Sequence, residues 1–208
     1  MNRPLTQTEQ ILLDKTGAYV ESVMKNETTG HDFHHVRRVV GMTKKLLESV
    51  SGVDPFISLM SAYLHDLDDP KLQADKTCLA QDYLNSTNID SAVSDRIMDI
   101  IKNMSFSAHK AGRKVASMEG MVVQDADRLD ALGAIGIARC FAYGGRKSRS
   151  IYRGDKDDDS SLAHFYQKLL NLEELMNLPE AKRIAKARTG YLKVFLDTFL
   201  AEWDLENR

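Results

Sequence analysis

Val36, Val40, Thr43, Leu47 and Val50 follow one another at steps of 4, 3, 4 and 3 residues. A helix of 3.6 residues per turn puts such a series on one face. The same period dominates the rest of the chain. Residues 6–25 carry Ile11, Leu12, Tyr19, Val20 and Val23. Asp54-Pro55 supplies a cap and a first-turn proline for an apolar segment that runs to Leu64. Residues 74–86 and 90–104 read as two more helices, the second opening after Asp90. Residues 122–142 form an apolar segment rich in alanine and glycine, and helices follow over about 160–176 and 180–205, the last just after Pro179. The whole chain holds only four prolines. Strand-like alternation reduces to Ile151 and Tyr152, which would make a short hairpin edge. Residues 144–159, GGRKSRSIYRGDKDDD, have no period and read as a projecting loop. The expectation is an all-α chain folded as a single domain over residues 1–208.

The bulk properties exclude several classes of function. A formal charge of −2 gives no general field for long nucleic acid or for an anionic membrane surface. An anionic substrate must then be attracted locally, by a metal or by clustered Arg and Lys. The opening residues MNRPLTQTEQ lack the apolar stretch of a signal peptide, and Phe56–Leu64 is too short to span a bilayer. Cys78 and Cys140 lie far apart in sequence and form no metal-type pair. These features suit a cytoplasmic protein.

Three polar clusters interrupt the apolar pattern. The first, His31-Asp32-Phe33-His34-His35-Val36-Arg37-Arg38-Val39, gathers three of the six histidines into five residues. His35 lines up with Val39, Met42 and Leu46, so it sits beside the apolar stripe, with Arg38 one turn on. Its bland reading is a core histidine at a helix start. The second, Leu64-His65-Asp66-Leu67-Asp68-Asp69-Pro70-Lys71, ends an apolar helix. Three carboxylates in four residues there oppose the helix dipole, a placement that a cation would relieve and solvent could also carry. The third, Gln124 to Ala134, places Asp127, Asp130, Ala131 and Ala134 on one helical face. Asp125 reads better as an ordinary cap.

Taken together the clusters offer His, His, Asp and Asp, a mixed nitrogen and oxygen set that suits Mn²⁺, Fe²⁺, Co²⁺, Ni²⁺ or Zn²⁺ better than Ca²⁺. The ordered pattern H…HD…D resembles the HD-domain superfamily of metal-dependent phosphohydrolases. The segments HDFHHVRRV, AYLHDLDDPK, VQDADRLDALGAIGIAR and HFYQKLL are similar to the small bacterial YpgQ/YedJ-like HD hydrolases, over roughly residues 25–200. The resemblance implies a single HD-domain helical bundle with that stretch as its core. It implies His35, His65, Asp66 and Asp127 as metal ligands, since His35 is followed by xxRV and Asp127 precedes RLDA. Mn²⁺ comes first as the cofactor, with Fe²⁺, Co²⁺, Ni²⁺, Zn²⁺ or Mg²⁺ as alternatives. It also implies a nucleotide phosphate or pyrophosphate as substrate. Many nucleotidase relatives carry a glutamate three residues after the HD aspartate, where this chain has the shorter Asp69. Asp69, with Asp66, is the catalytic candidate, as general base or water positioner.

Phosphate also needs fixed cations. Arg38 and Lys71 are the first candidates, followed by His164 and Lys168, spaced i, i+4 on one side of a helix. Arg128, Arg183 and Arg188 are further ones, each set against the ordinary reading of a solvated charge. In the loop, Tyr143 or Tyr152 could stack on a base among Arg146, Lys147, Arg149 and Arg153, or the segment could be a mobile surface or a homodimer contact. Phe106 is a base platform or core, and His109 is surface. Two rival functions remain: a phosphodiesterase acting on cyclic nucleotides or nucleic-acid ends, and a metal-dependent nucleotide sensor without turnover.

Overall fold

The computed structural model describes residues 1–25, 30, 32–68, 78–156 and 158–204. In chain order the helices are α1 (Gln7–Met24), α2 (Phe33–Leu47), α3 (Pro55–Leu64), α4 (Leu79–Asn85), α5 (Ser91–Met104), α6 (Phe106–Lys110), α7 (Met118–Asp130), α8 (Gly133–Arg146), α9 (Ala163–Gln167) and α10 (Pro179–Trp203), with a 3-10 turn at Leu169–Asn171. No strand occurs among the described residues, so the all-α expectation holds. The described helices include none long and apolar enough to cross a membrane. The chain gathers into two compact units, Met1–Asp127 and Arg128–Arg208.

In the first unit α3 is the central element. Every residue of α3 except Tyr63 is buried, and the helix packs against α1, α2 and α5. Each apolar side chain so enclosed contributes roughly 1.5–3 kcal/mol. Asp54 caps it by accepting from the Phe56 and Ile57 N–H groups at 2.9 and 3.4 Å, with Pro55 in the first turn. The stripe on α2 is buried at Val36, Val39, Val40, Thr43, Leu46 and Leu47, and the helix stops there, leaving Val50 just past the following turn.

The start of α1 is tied to the start of α3 through one arginine. Thr6 and Glu9 form a capping box on α1. The Arg3 guanidinium donates to Glu9 at 2.6 and 2.8 Å and to Asp54 at 2.9 and 3.0 Å. The bond from Arg3, chiefly, holds the Glu9 carboxyl down to about 2, against the opposing effect of burial. A carboxyl depressed in the folded chain adds stability above its ordinary value, and that stability is lost as the pH falls through the folded value. The urea midpoint of the protein should therefore drop between pH 4.5 and pH 2. Arg3→Ala should flatten that drop, and parallel curves for the two proteins would remove the ion pair from the account.

In the second unit α8 packs against α10. The apolar segment expected at 122–142 is divided in two by Gly133, whose φ of +73° turns the chain between α7 and α8. Phe141, Phe165, Phe195 and Phe199 form an aromatic cluster with ring centroids 5.7–6.5 Å apart. Tyr152 joins it against Phe199 and Trp203, at 6.2 and 5.4 Å. Ile151 and Tyr152 are thus not a strand edge. The expected loop also begins later, because α8 runs on to Arg146. There the chain closes with the Arg149 N–H on the Gly144 carbonyl and Ser148 at φ +54°. The helix expected over 160–176 is shorter, reduced to α9 and the 3-10 turn, because Lys168 takes φ −139° and ψ −59° between them.

Candidate metal centre

Asp32 ends the approach to α2 by accepting from the His35 N–H at 2.9 Å, and this places His35 in the first turn, on the buried side beside Val36 and Val39. At the other end of the neighbouring helix, the chain leaves α3 without unwinding at once. His65 keeps helical angles, and the Leu67 N–H bonds the Leu64 carbonyl at 3.1 Å. His65 and Asp66 therefore emerge from the apolar helix as a last, irregular turn. Asp127 comes from the end of α7.

These four side chains converge. His35 Nε2 lies 3.2 Å from His65 Nε2, 3.3 Å from Asp66 Oδ2 and 3.5 Å from Asp127 Oδ1. His65 Nε2 lies 3.5 Å from Asp66 Oδ1 and 3.8 Å from Asp127 Oδ1. The imidazoles meet edge to face at 70°. The His65 ring is oriented by the backbone: its Nδ1 stands 2.9 Å from the Ala62 carbonyl, which can only accept, so Nδ1 carries the proton. In the neutral ring that leaves the Nε2 lone pair directed at the centre, the orientation a ligating histidine needs.

The donor set fits a divalent ion. Bond lengths of about 2.1 Å put neighbouring ligands about 3.0 Å apart on an octahedral ion and about 3.4 Å apart on a tetrahedral one. The observed 3.2–3.8 Å takes in the tetrahedral edge and starts just above the octahedral one, and the ligating atoms of His35, His65 and Asp127 all lie within 4.8 Å of one another. The side chains of His35, His65 and Asp66 are 0%, 3% and 10% exposed, whereas that of Asp127 is 31% exposed. Three donors are thus held in a desolvated pocket, where a carboxylate is costly without a cation. Asp127 faces the solvent.

The other sequence candidates fall in several places. Arg38 is half-buried on α2, one turn beyond His35. Asp69 and Lys71 lie outside the described residues, as does His31. Asp68 accepts from the Ala80 N–H at 3.3 and 3.4 Å and so caps α4, and burial pushes its carboxyl up. His164 and Lys168 belong to the second unit, half-buried on α9 and just past it. Arg183 pairs with Glu180 at 2.8 Å, while Arg128 donates to the Leu175 carbonyl and Arg188 to the Leu129 carbonyl. Tyr143 carries both Lys147 and Arg149 near its ring, at 5.8 and 5.7 Å. Phe106 is half-buried with Lys110 over it at 5.3 Å. Neither the Ala62 contact nor the arginine bonds around α7 had a signal in the sequence; both arise from backbone carbonyls.

No protein-family model matches the chain. It is 38% identical over 199 residues to the protein YpgQ of Bacillus subtilis (strain 168), spanning 93% of this chain and 92% of that one. The crystal structure of Bacillus subtilis YpgQ in complex with ADP superposes with a TM-score of 0.79 at 35% identity, over 94% of this chain and 97% of that one. An HD-superfamily hydrolase from Bacillus thuringiensis is 39% identical with a TM-score of 0.74, over 95% and 99% of the two chains.

Proposed function

The chain belongs to the HD superfamily, alongside YpgQ and the hydrolase from Bacillus thuringiensis, and from that premise we propose that it is a metal-dependent phosphohydrolase cleaving a phosphate or pyrophosphate bond of a nucleotide. The observation that carries the reading is the convergence of two imidazole Nε2 atoms with the carboxylates of Asp66 and Asp127, one ring being locked by the Ala62 carbonyl. The nucleotide class draws its support from YpgQ, whose crystal structure holds ADP.

His35, His65, Asp66 and Asp127 would hold the ion. A divalent cation bound there supplies Lewis acidity and neutralises charge at phosphorus. The Ala62 carbonyl keeps His65 in the tautomer that ligates. Asp66, with one oxygen toward each imidazole, fixes the second ring relative to the first. The solvent-facing side of Asp127 is where a phosphate would enter. On sequence grounds Asp69 orients or deprotonates the attacking water, and Arg38, Lys71, His164 and Lys168 neutralise the phosphates.

The test is a panel of nucleoside mono-, di- and triphosphates and a cyclic nucleotide, incubated with Mn²⁺. Inorganic phosphate or pyrophosphate should be released from at least one of the nucleotides, and EDTA should stop the release. A linear monoester from the cyclic nucleotide would redirect the reading to a phosphodiesterase. Tight nucleotide binding with no product over long incubation would leave a sensor.

A further inference from the structure

Of the four converging side chains, Asp127 is the least enclosed by its surroundings. Less packing encloses it than encloses His35 and Asp66. Its aim depends on where the last turn of α7 lies, and the three residues that follow Asp127 are each held through an arginine. The Arg128 guanidinium donates to the Leu175 carbonyl. The Leu129 carbonyl, which also accepts from the Leu132 N–H at 3.1 Å, takes a bond from Arg188 Nη1 at 2.5 Å. Asp130, almost fully buried, accepts from Arg139 Nη1 at 2.9 Å.

Arg188 reaches this position through a slot left by a glycine. A Cβ on Gly133 would stand 3.3, 3.4 and 3.6 Å from Cγ, Cβ and Cδ of Arg188, so the stem of the arginine lies against the glycine backbone. Burial depresses the Arg188 guanidinium, and the neighbouring Asp130 opposes that effect. Capping alone would explain a cation at a helix C-terminus. It does not require one that is half-buried, aimed at a single backbone carbonyl and stacked on a glycine of positive φ. A buried charge is a poor device for stability compared with apolar packing, and a better one for fixing geometry.

We propose that Arg188 is a positioning residue for the metal centre: its bond to the Leu129 carbonyl fixes the last turn of α7 and so the aim of the Asp127 carboxylate. This rests on the metal-dependent reading above. Arg188 acts through the helix and touches neither ion nor substrate.

Mn²⁺ titrated into metal-free wild type, Arg188→Gln, Arg188→Lys and His65→Ala, with free Mn²⁺ read by electron paramagnetic resonance, separates the possibilities. Circular dichroism and unfolding in EDTA establish that each variant is folded. Arg188→Gln should bind Mn²⁺ about 10–100-fold more weakly, as expected when a group supporting a ligand is lost, and its kcat should fall more than its KM rises. Arg188→Lys keeps a cation and most of the stem, and should recover part of the affinity. Should Arg188→Gln not fold, Arg188→Lys carries the test, with affinity below wild type expected. Wild-type affinity in either folded variant, while His65→Ala has lost the ion, overturns this inference alone. Undiminished binding by His65→Ala, or none by wild type, overturns the metal centre and this inference with it.

Discussion

Asp66→Ala should lose turnover by about 10³-fold or more, and should lose the stabilisation that Mn²⁺ gives the wild type. Asp66 sets an oxygen 3.3 Å from His35 Nε2 and another 3.5 Å from His65 Nε2. Removing it takes away a charge that balances the ion and the group lying between the two imidazoles. Outer groups that merely support a ligand are worth 10–100-fold, so a direct ligand should exceed that range. A loss of 10³ corresponds to about 4 kcal/mol of barrier. The stability arm separates this from simple misfolding. An ion at about 100 times its Kd stabilises a folded protein by about 2.7 kcal/mol, so wild type should melt higher with Mn²⁺ than with EDTA. Asp66→Ala should melt alike in both. Retained turnover in folded Asp66→Ala would sink the mechanism.

Much of this was legible in the sequence, for definite reasons. The 4-3-4-3 stripe on α2 and the Asp54-Pro55 start of α3 are local signals, governed by helix period and by capping, and the structure follows both. His65 and Asp66 could be placed at a helix end because an apolar run stops there. Elsewhere the same period misled. Leu162, Phe165, Leu169, Leu172 and Met176 step by 3, 4, 3 and 4 and are all buried, yet only Phe165 lies in the short helix and only Leu169 in the 3-10 turn, with a break at Lys168 between them. Periodicity reports which residues face the core, and turns of nearly helical pitch satisfy it as well as one helix does. The polar side chains were less legible still. Asp68 looked like one of three carboxylates crowded at a helix end, and it caps α4. Arg128 and Arg188 looked like phosphate ligands and are bonded to backbone carbonyls far away in sequence. A carbonyl is present at every residue, so sequence gives no hint of which one a side chain will seek.

The glycines of α8 give the second large effect, with opposite signs at two positions of one helix. Gly136→Ala should destabilise the protein by about 3 kcal/mol, whereas Gly145→Ala should be neutral or stabilise it by up to about 1 kcal/mol. A Cβ at Gly136 would collide with the carbonyl of Ala131, which is backbone and cannot rotate away. Relief would require the turn between α7 and α8 to open, and that turn holds Gly133 at φ +73° with the Arg188 stem against it. A Cβ at Gly145 meets nothing within 4 Å, so the exchange there only removes conformational freedom from the unfolded chain. For a chain of this length 1 kcal/mol moves Tm by about 2–4 °C, so Gly136→Ala should melt about 6–12 °C below wild type. What comes close to Gly136 is the chain's own backbone, five residues earlier. Thermal unfolding of both variants in EDTA decides the matter, and equal melting temperatures would mean that the turn yields without cost. If the turn is as stiff as this contact implies, Gly136→Ala should also weaken Mn²⁺ binding, because the displaced segment begins one residue after Asp130, at the end of the helix that carries Asp127.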